Sequence, residues 1–135
     1  TSVNIRLVNH LSKDVVLKFD NEQFNRLFFN LIKNSVESIH QKAEKTSNFD
    51  KKISVEITSN NDHILINIID NGIGFENFKG DIKEILHPYF TTKKNGTGLG
   101  LSIVNKIVND HNGTMKFFPI KEGAKVEIIF NLNDS

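Results

Sequence analysis

The residue types that could do chemistry fall into a few short stretches. Asn30 and Asn34 are four residues apart, and Glu37 lies three further on. At about 100° per residue these side chains share one strip of a helix. Neutral amide oxygens there can ligate a hard divalent cation without the repulsion that clustered carboxylates would feel beside polyphosphate. Mg²⁺ takes few protein ligands and completes its shell with phosphate and water. Asp70-Asn71-Gly72-Ile73-Gly74 follows an apolar run. A carboxylate at a strand end can accept a hydrogen bond from an exocyclic amine such as N6 of adenine, and the two glycines let backbone approach a planar ligand closely. Thr97-Gly98-Leu99-Gly100 opens a helical pattern, where backbone N–H groups and the macrodipole favour an anion. Its spacing is neither the P-loop, which needs a Lys after the last Gly, nor the dinucleotide fingerprint that follows a strand. Shortly before it, Thr91-Thr92-Lys93-Lys94 offers hydroxyls and two cations. Taken singly, each stretch has a plain alternative: a solvated helix edge, an Asp-Asn-Gly turn, a glycine hinge, a solvated loop tip.

These groups need elements to hold them. Phe24, Leu27, Phe28, Leu31, Ile32, Val36 and Ile39 recur at helical spacing, predicting a long amphipathic helix from an N-cap at Asp20 or Asn21 to about Lys45. Ahead of it, Asn4 to Asn9 and Val15 to Phe19 read as extended. Lys52 to Ser59 alternates Ile53, Val55 and Ile57 with Ser54, Glu56 and Thr58, a strand with one buried face. His63 to Asp70 is nearly continuous in apolar residues, as a central strand would be, and Asn60-Asn61-Asp62 joins the two as a hairpin loop. Phe75 to Asn95 has little periodicity beyond a short helix expected around Asp81 to Leu86; a connection of that length is functional or disordered. A second helix spans Leu101, Ile103, Val104, Ile107 and Val108, closed by the C-cap signal Asn112-Gly113. Thr114 to Pro119 and Ala124 to Leu132 pair across a turn at Lys121-Glu122-Gly123. The expectation is one domain over residues 1–135, ordered β-β-α-β-β-loop-α-β-β.

Composition bounds the function. With 17 Lys and Arg against 16 Asp and Glu the net charge is +1, which argues against a polybasic nucleic-acid or membrane-surface binder. Hydrophobic residues make up 38% of the chain and charged residues 24%, enough to form a core. The absence of Cys removes disulfides, thiolate metal sites and Cys nucleophiles together. No apolar run approaches the roughly 20 residues that span a bilayer, and the start lacks a signal-peptide pattern; a cytoplasmic domain is expected.

In their order along the chain, an amide strip, a strand-end Asp with Gly-x-Gly, an irregular segment and a Gly-rich helix start describe one nucleotide pocket. The stretches NRLFFNLIKNSVESI, DNGIGF, HPYFTTKK and GTGLGLSIV resemble the N box, first glycine box, F box and second glycine box of the GHKL ATPase superfamily. They are most similar to the catalytic, ATP-binding domain of sensor histidine kinases, in the branch that responds to nitrogen status, and the resemblance covers nearly the whole chain. It implies a Bergerat-type α/β (α+β) two-layer sandwich: a mixed sheet, helices on one face, and a flexible ATP lid near residues 76–95. It implies ATP and Mg²⁺ as ligands, with Asn34 on the metal and Asn30 its neighbour or second ligand. Asp70 would recognise adenine, with Gly72, Ile73 and Gly74 shaping that pocket. Phe90 would be the lid aromatic, Thr91 and Thr92 would lie beside phosphate, and Gly96, Thr97, Gly98, Leu99, Gly100 and Leu101 would form hinge and phosphate cradle. The implied activity is a protein histidine kinase acting within a larger protein. The γ-phosphate of ATP would pass to a His on a dimerisation domain and then to a response regulator, while this domain alone binds ATP without efficient transfer.

Departures from the family pattern sharpen that expectation. Many sensor kinases have a Lys where Glu37 stands, so Lys93 or Lys94 becomes the candidate for meeting phosphate; Lys33 points away from the strip by about 100°. The hydrolysing relatives (gyrase, mismatch-repair and chaperone ATPases) have a Glu general base where this chain has Asn30, and an amide cannot accept a proton at neutral pH. Donation to a nucleophile that brings its own basicity, such as imidazole, then rests on positioning and charge neutralisation. None of the five histidines, His10, His40, His63, His87 and His111, has the phosphoacceptor context. The dimerisation and phosphoacceptor helices are therefore expected on a separate domain, in a parent protein open to membrane anchoring. Two rivals share the pocket: a catalytically silent nucleotide-sensing module and an anti-sigma-type protein-serine kinase. No nucleic-acid partner and no membrane contact by this domain are expected.

Overall fold

The structure, a computed structural model, describes residues 3–11, 17–74 and 100–132. Its elements are β1 (Asn4–Asn9), α1 (Asn21–Ala43), β2 (Lys52–Ser59), β3 (His63–Asp70), α2 (Gly100–Asp110), β4 (Gly113–Ile120) and β5 (Gly123–Asn131). The lid segment and the short helix expected over Asp81 to Leu86 lie outside the described residues.

The α1 helix starts where the capping chemistry says. Asp20 Oδ1 accepts from the Gln23 N–H at 3.0 Å, satisfying one of the first-turn donors that have no intrahelical partner. Steps of four then bury Leu27, Leu31, Ser35 and Ile39 in one line. The helix ends at Ala43, and Asn48 at φ 60° turns the chain back toward β2.

The five strands are ordered β1-β2-β3-β5-β4. β1 and β2 run parallel and the other neighbours antiparallel, giving the expected mixed sheet. Asn60 Oδ1 accepts from the N–H groups of Asp62 and His63, both at 2.8 Å, and so fixes the β2–β3 loop. The central strand β3 buries alternate residues Ile64, Ile66, Ile68 and Asp70, whereas Leu65, Asn67 and Ile69 opposite are only half-buried. Helices cover one face. Leu27, Leu31 and Ile39 of α1 meet Val104 and Val108 of α2 above Ile66, Ile68 and Ile128, and truncating any of these to Ala would cost about 2–5 kcal/mol for the larger side chains.

Three local expectations change in detail. Residues 17–20 are irregular and form no strand; the Phe19 ring instead stacks on His111 at 3.6 Å and meets Phe130 edge-on at 5.3 Å. Those ring contacts fasten the segment before α1 to the residue after α2 and to β5. In the Asn112-Gly113 pair it is Asn112, at φ 58°, that takes the left-handed conformation, and Gly113 already belongs to β4. Likewise Glu122, at φ 65°, carries the β4–β5 turn, and Gly123 opens β5.

Candidate functional site

Strand parity puts Asp70 on the helix-covered face, at the end of β3 between Ile53 and Ala124. It is 7% exposed, an unusual position for a carboxylate. Burial pushes its carboxyl above the ordinary value of 3.8; a hydrogen bond from the Gly72 N–H, one from the Ser35 hydroxyl, the Lys42 charge and one from the Ala124 N–H pull it back in part. The Gly72 bond measures 2.9 Å to Oδ1. An ionised carboxylate has roughly four lone-pair positions. Three internal donors leave about one acceptor position for a donor from outside, such as an exocyclic amine.

The turn after Asp70 is fastened at every residue. The Ile73 N–H donates to the Ser38 carbonyl at 3.1 Å, and the Gly74 N–H lies 3.4 Å from Ser38 Oγ. Lys42 Nζ donates to the Asn71 carbonyl at 3.0 Å. Asn71 is tied in turn to the start of β2: its Oδ1 accepts from the Lys52 N–H at 2.9 Å and its Nδ2 donates to the Asp50 carbonyl. A Cβ at Gly72 would stand 2.4 Å from Ser38 Oγ and 2.6 Å from the Ser38 carbonyl carbon. The sequence assigns that glycine to close approach of a ligand; in the structure the space is filled by α1, so the helix sets the requirement. Gly123 is a second such point, since a Cβ there would stand 1.9 Å from the Asp70 carbonyl oxygen.

The amide strip lies on a flank of the same helix. Asn34 is half-buried and adjoins Ser35, which points to Asp70. Asn30 is half-buried, and its Nδ2 donates to the Arg26 carbonyl at 2.8 Å. That bond turns the amide nitrogen inward along the helix and leaves Oδ1 as the group available to a hard cation, which suits an oxygen-seeking metal. Lys33, expected to point away from the strip, instead has its Nζ 3.9 Å from Glu37 Oε1, because residues four apart share a helix face.

The structure thus brings Asp70, Gly72, Ile73 and Gly74 together under α1 and puts Asn30 and Asn34 on that helix. Gly100 begins α2, and Leu101 packs partly buried against the core. Phe90, Thr91, Thr92, Lys93, Lys94, Gly96, Thr97, Gly98 and Leu99 lie outside the described residues. Ser35, Ser38, Lys42, Asn71 and Gly123 contact Asp70 or the turn after it and were not among the candidate site residues named from the sequence. One signal was available: Ser35 is a hydroxyl in an otherwise apolar line of steps of four.

A mixed five-stranded sheet with both described helices on one face, and a buried strand-end carboxylate under one of them, defines a two-layer α/β sandwich of the Bergerat type. Residues 19–134 match the family described as histidine kinase-, DNA gyrase B- and HSP90-like ATPase, and the chain belongs to it. It is 33% identical over 105 residues to sporulation kinase B of Bacillus subtilis, covering 77% of this chain and 22% of that protein. It is 36% identical over 114 residues to a putative sensor histidine kinase NtrY-like of Rickettsia felis, covering 84% of this chain and 18% of the other. The chain therefore spans only about a fifth of the length of these relatives. Among solved structures it is similar to the catalytic domain of histidine kinase ThkA, with a TM-score of 0.77 at 21% identity, covering 96% of this chain and 80% of that one. At that identity the likeness speaks for the fold.

Proposed function

We propose that the chain is the ATP-binding catalytic domain of a sensor histidine kinase, working in the cytoplasm where ATP is supplied. The observation that carries the reading is Asp70: a buried carboxylate with three internal donors and about one lone-pair position left for the adenine amine. Asn34, with Asn30 beside it, would hold Mg²⁺, whose contribution when bound is to neutralise and orient the triphosphate. Lys93 or Lys94 would meet the phosphates, and the Gly96 to Leu101 stretch would wrap them with backbone N–H groups. At position 30 the chain offers an amide whose nitrogen is committed to the Arg26 carbonyl. No proton acceptor stands there to activate water, which favours donation of the γ-phosphoryl group to a histidine on a dimerisation domain, with a response regulator next in line.

Calorimetry with ATP, ADP and GTP, each with and without Mg²⁺, tests the binding half. Adenine nucleotides are expected to bind at micromolar to millimolar strength and GTP more weakly; a folded domain with no affinity for ATP refutes the reading. Labelled ATP mixed with a phosphoacceptor domain tests the other half. An acid-labile phosphohistidine is expected, and an acid-stable phosphoester would instead identify a serine kinase.

A further inference from the structure

The α1 helix does more than carry the amide strip. Ser35, Ser38 and Lys42, at spacings of three and four, face the end of β3 and the turn after it: the Ser35 hydroxyl bonds Asp70, the Ser38 carbonyl accepts from Ile73, and Lys42 donates to Asn71. The outermost is Lys42, in the last turn of the helix. Its Nζ donates to the Asn71 carbonyl at 3.0 Å and lies 4.8 Å from the centre of the Phe49 ring. The ring face attracts the cation and holds the long side chain over the turn, so the bond costs less side-chain freedom than an unsupported lysine would lose. Asn71 is already tied to β2 by its own amide. The added bond from α1 therefore closes a bridge from helix to turn to strand at Asn71, the residue between Asp70 and Gly72. Ser35 completes the bridge from inside the core, its hydroxyl bonded to the Asp70 carboxylate.

We infer that Ser35 and Lys42 are positioning residues for purine selection: they aim the Asp70 carboxylate, through a direct hydrogen bond and through the Asn71 carbonyl, at the ligand's exocyclic amine. The inference rests on the assignment of Asp70 to adenine. A lysine in the last turn of a helix also suits the macrodipole with no role in any site, so the test must read selection and not stability alone.

Affinities of the folded domain would be measured for ATP, for the triphosphate of purine riboside, which lacks the 6-amino group, and for tripolyphosphate. Lys42→Met is expected to shrink the preference for ATP over the purine analogue by about 5- to 10-fold, the value of weakening one charge-assisted bond. Tripolyphosphate binding should move by no more than about twofold, and Lys42→Arg should restore the preference. In an Asp70→Asn background Lys42→Met should change the preference no further, because its effect runs through that carboxylate. Equal losses for all three ligands, or additive effects in the two backgrounds, would overturn the inference. Should Lys42→Met fail to fold, Ser35→Ala carries the same expectation. A wild-type domain that binds both triphosphates equally would overturn the adenine assignment and this inference with it. A wild-type preference untouched by Lys42→Met and Ser35→Ala overturns the inference alone.

Discussion

Asp70→Asn separates what the carboxylate does for the ligand from what it costs the fold. Three donors converge on this side chain, the Gly72 N–H, the Ser35 hydroxyl and the Ala124 N–H, and with adenine bound as proposed the ligand amine would be a fourth. An asparagine has one oxygen with two lone pairs and adds two N–H donors of its own, so at least two of those donors lose their acceptor. A hydrogen bond to a charged group is worth about 1.5–3 kcal/mol, which predicts ATP binding weaker by roughly 10- to 150-fold and a preference over GTP largely erased. Stability should move the other way with pH. Burial raises the folded-state value above 3.8, so between 3.8 and that higher value the folded state holds a proton that the unfolded state has released. Wild-type stability therefore falls as pH rises through this window, and the variant, with nothing to ionise, escapes that fall. Melting temperature of the variant minus that of wild type, measured without ligand from pH 4 to pH 7, should rise with pH. An unchanged ratio of ATP to GTP affinity, or a difference that falls with pH, would refute the reasoning.

Other perturbations reach the remaining parts of the site. Asn34→Ala should abolish Mg²⁺-dependent phosphoryl transfer to a supplied phosphoacceptor domain while the melting curve stays cooperative; retained transfer would reassign the metal ligand. Lys93→Ala combined with Lys94→Ala should weaken ATP by about tenfold or more and leave adenosine nearly unchanged, and calorimetry showing equal losses would remove both lysines from the phosphate end. Gly72→Ala forces a methyl to within 2.4 Å of Ser38 Oγ, a contact that the helix backbone beside it cannot relieve. Denaturant titration should show about 1–3 kcal/mol of lost stability, and an undisturbed midpoint would mean the turn does not pack on α1.

Periodicity and capping made most of the fold legible. The four-step apolar line, the Asp20 cap and the alternation in β2 each report a local cause, and each reappears in the structure at nearly the expected residues. The misses share a different origin. Phe19 reads as a strand end because it is apolar and follows Val15, Val16 and Leu17; its fate is decided by His111 and Phe130, roughly a hundred positions away. Gly123 looks like a turn residue, whereas its constraint is the Asp70 carbonyl on the neighbouring strand. For the site, Asp70 and the glycines were visible because strand ends and Gly-x-Gly are local patterns. Ser38 and Lys42 were not, and Ser35 showed only as a hydroxyl in an apolar line, because a helix's polar residues acquire a role only once sheet register fixes which turn lies beneath them.

In the proposed function, the two ends of the ligand would be read through neighbouring residues of one rigid element. Ser35 bonds Asp70 and would act through it on the base, while Asn34, one position earlier and about 100° around the helix, would serve the metal. An α-helix held by a buried line of Leu27, Leu31 and Ile39 cannot rotate to satisfy one end without displacing the other. The distance between the proposed base and metal sites would therefore be set by helix geometry. Substrate length would then be selected by that frame, with Lys93, Lys94, Gly96 and Gly98 proposed to act on the phosphates. On this reasoning, changes within residues 75–99 should alter phosphate affinity and transfer while leaving the ATP-to-GTP ratio intact. A single-residue insertion in α1 between Leu27 and Asn34 should damage both ends together, and an insertion variant that kept its purine preference would show that the helix does not couple them.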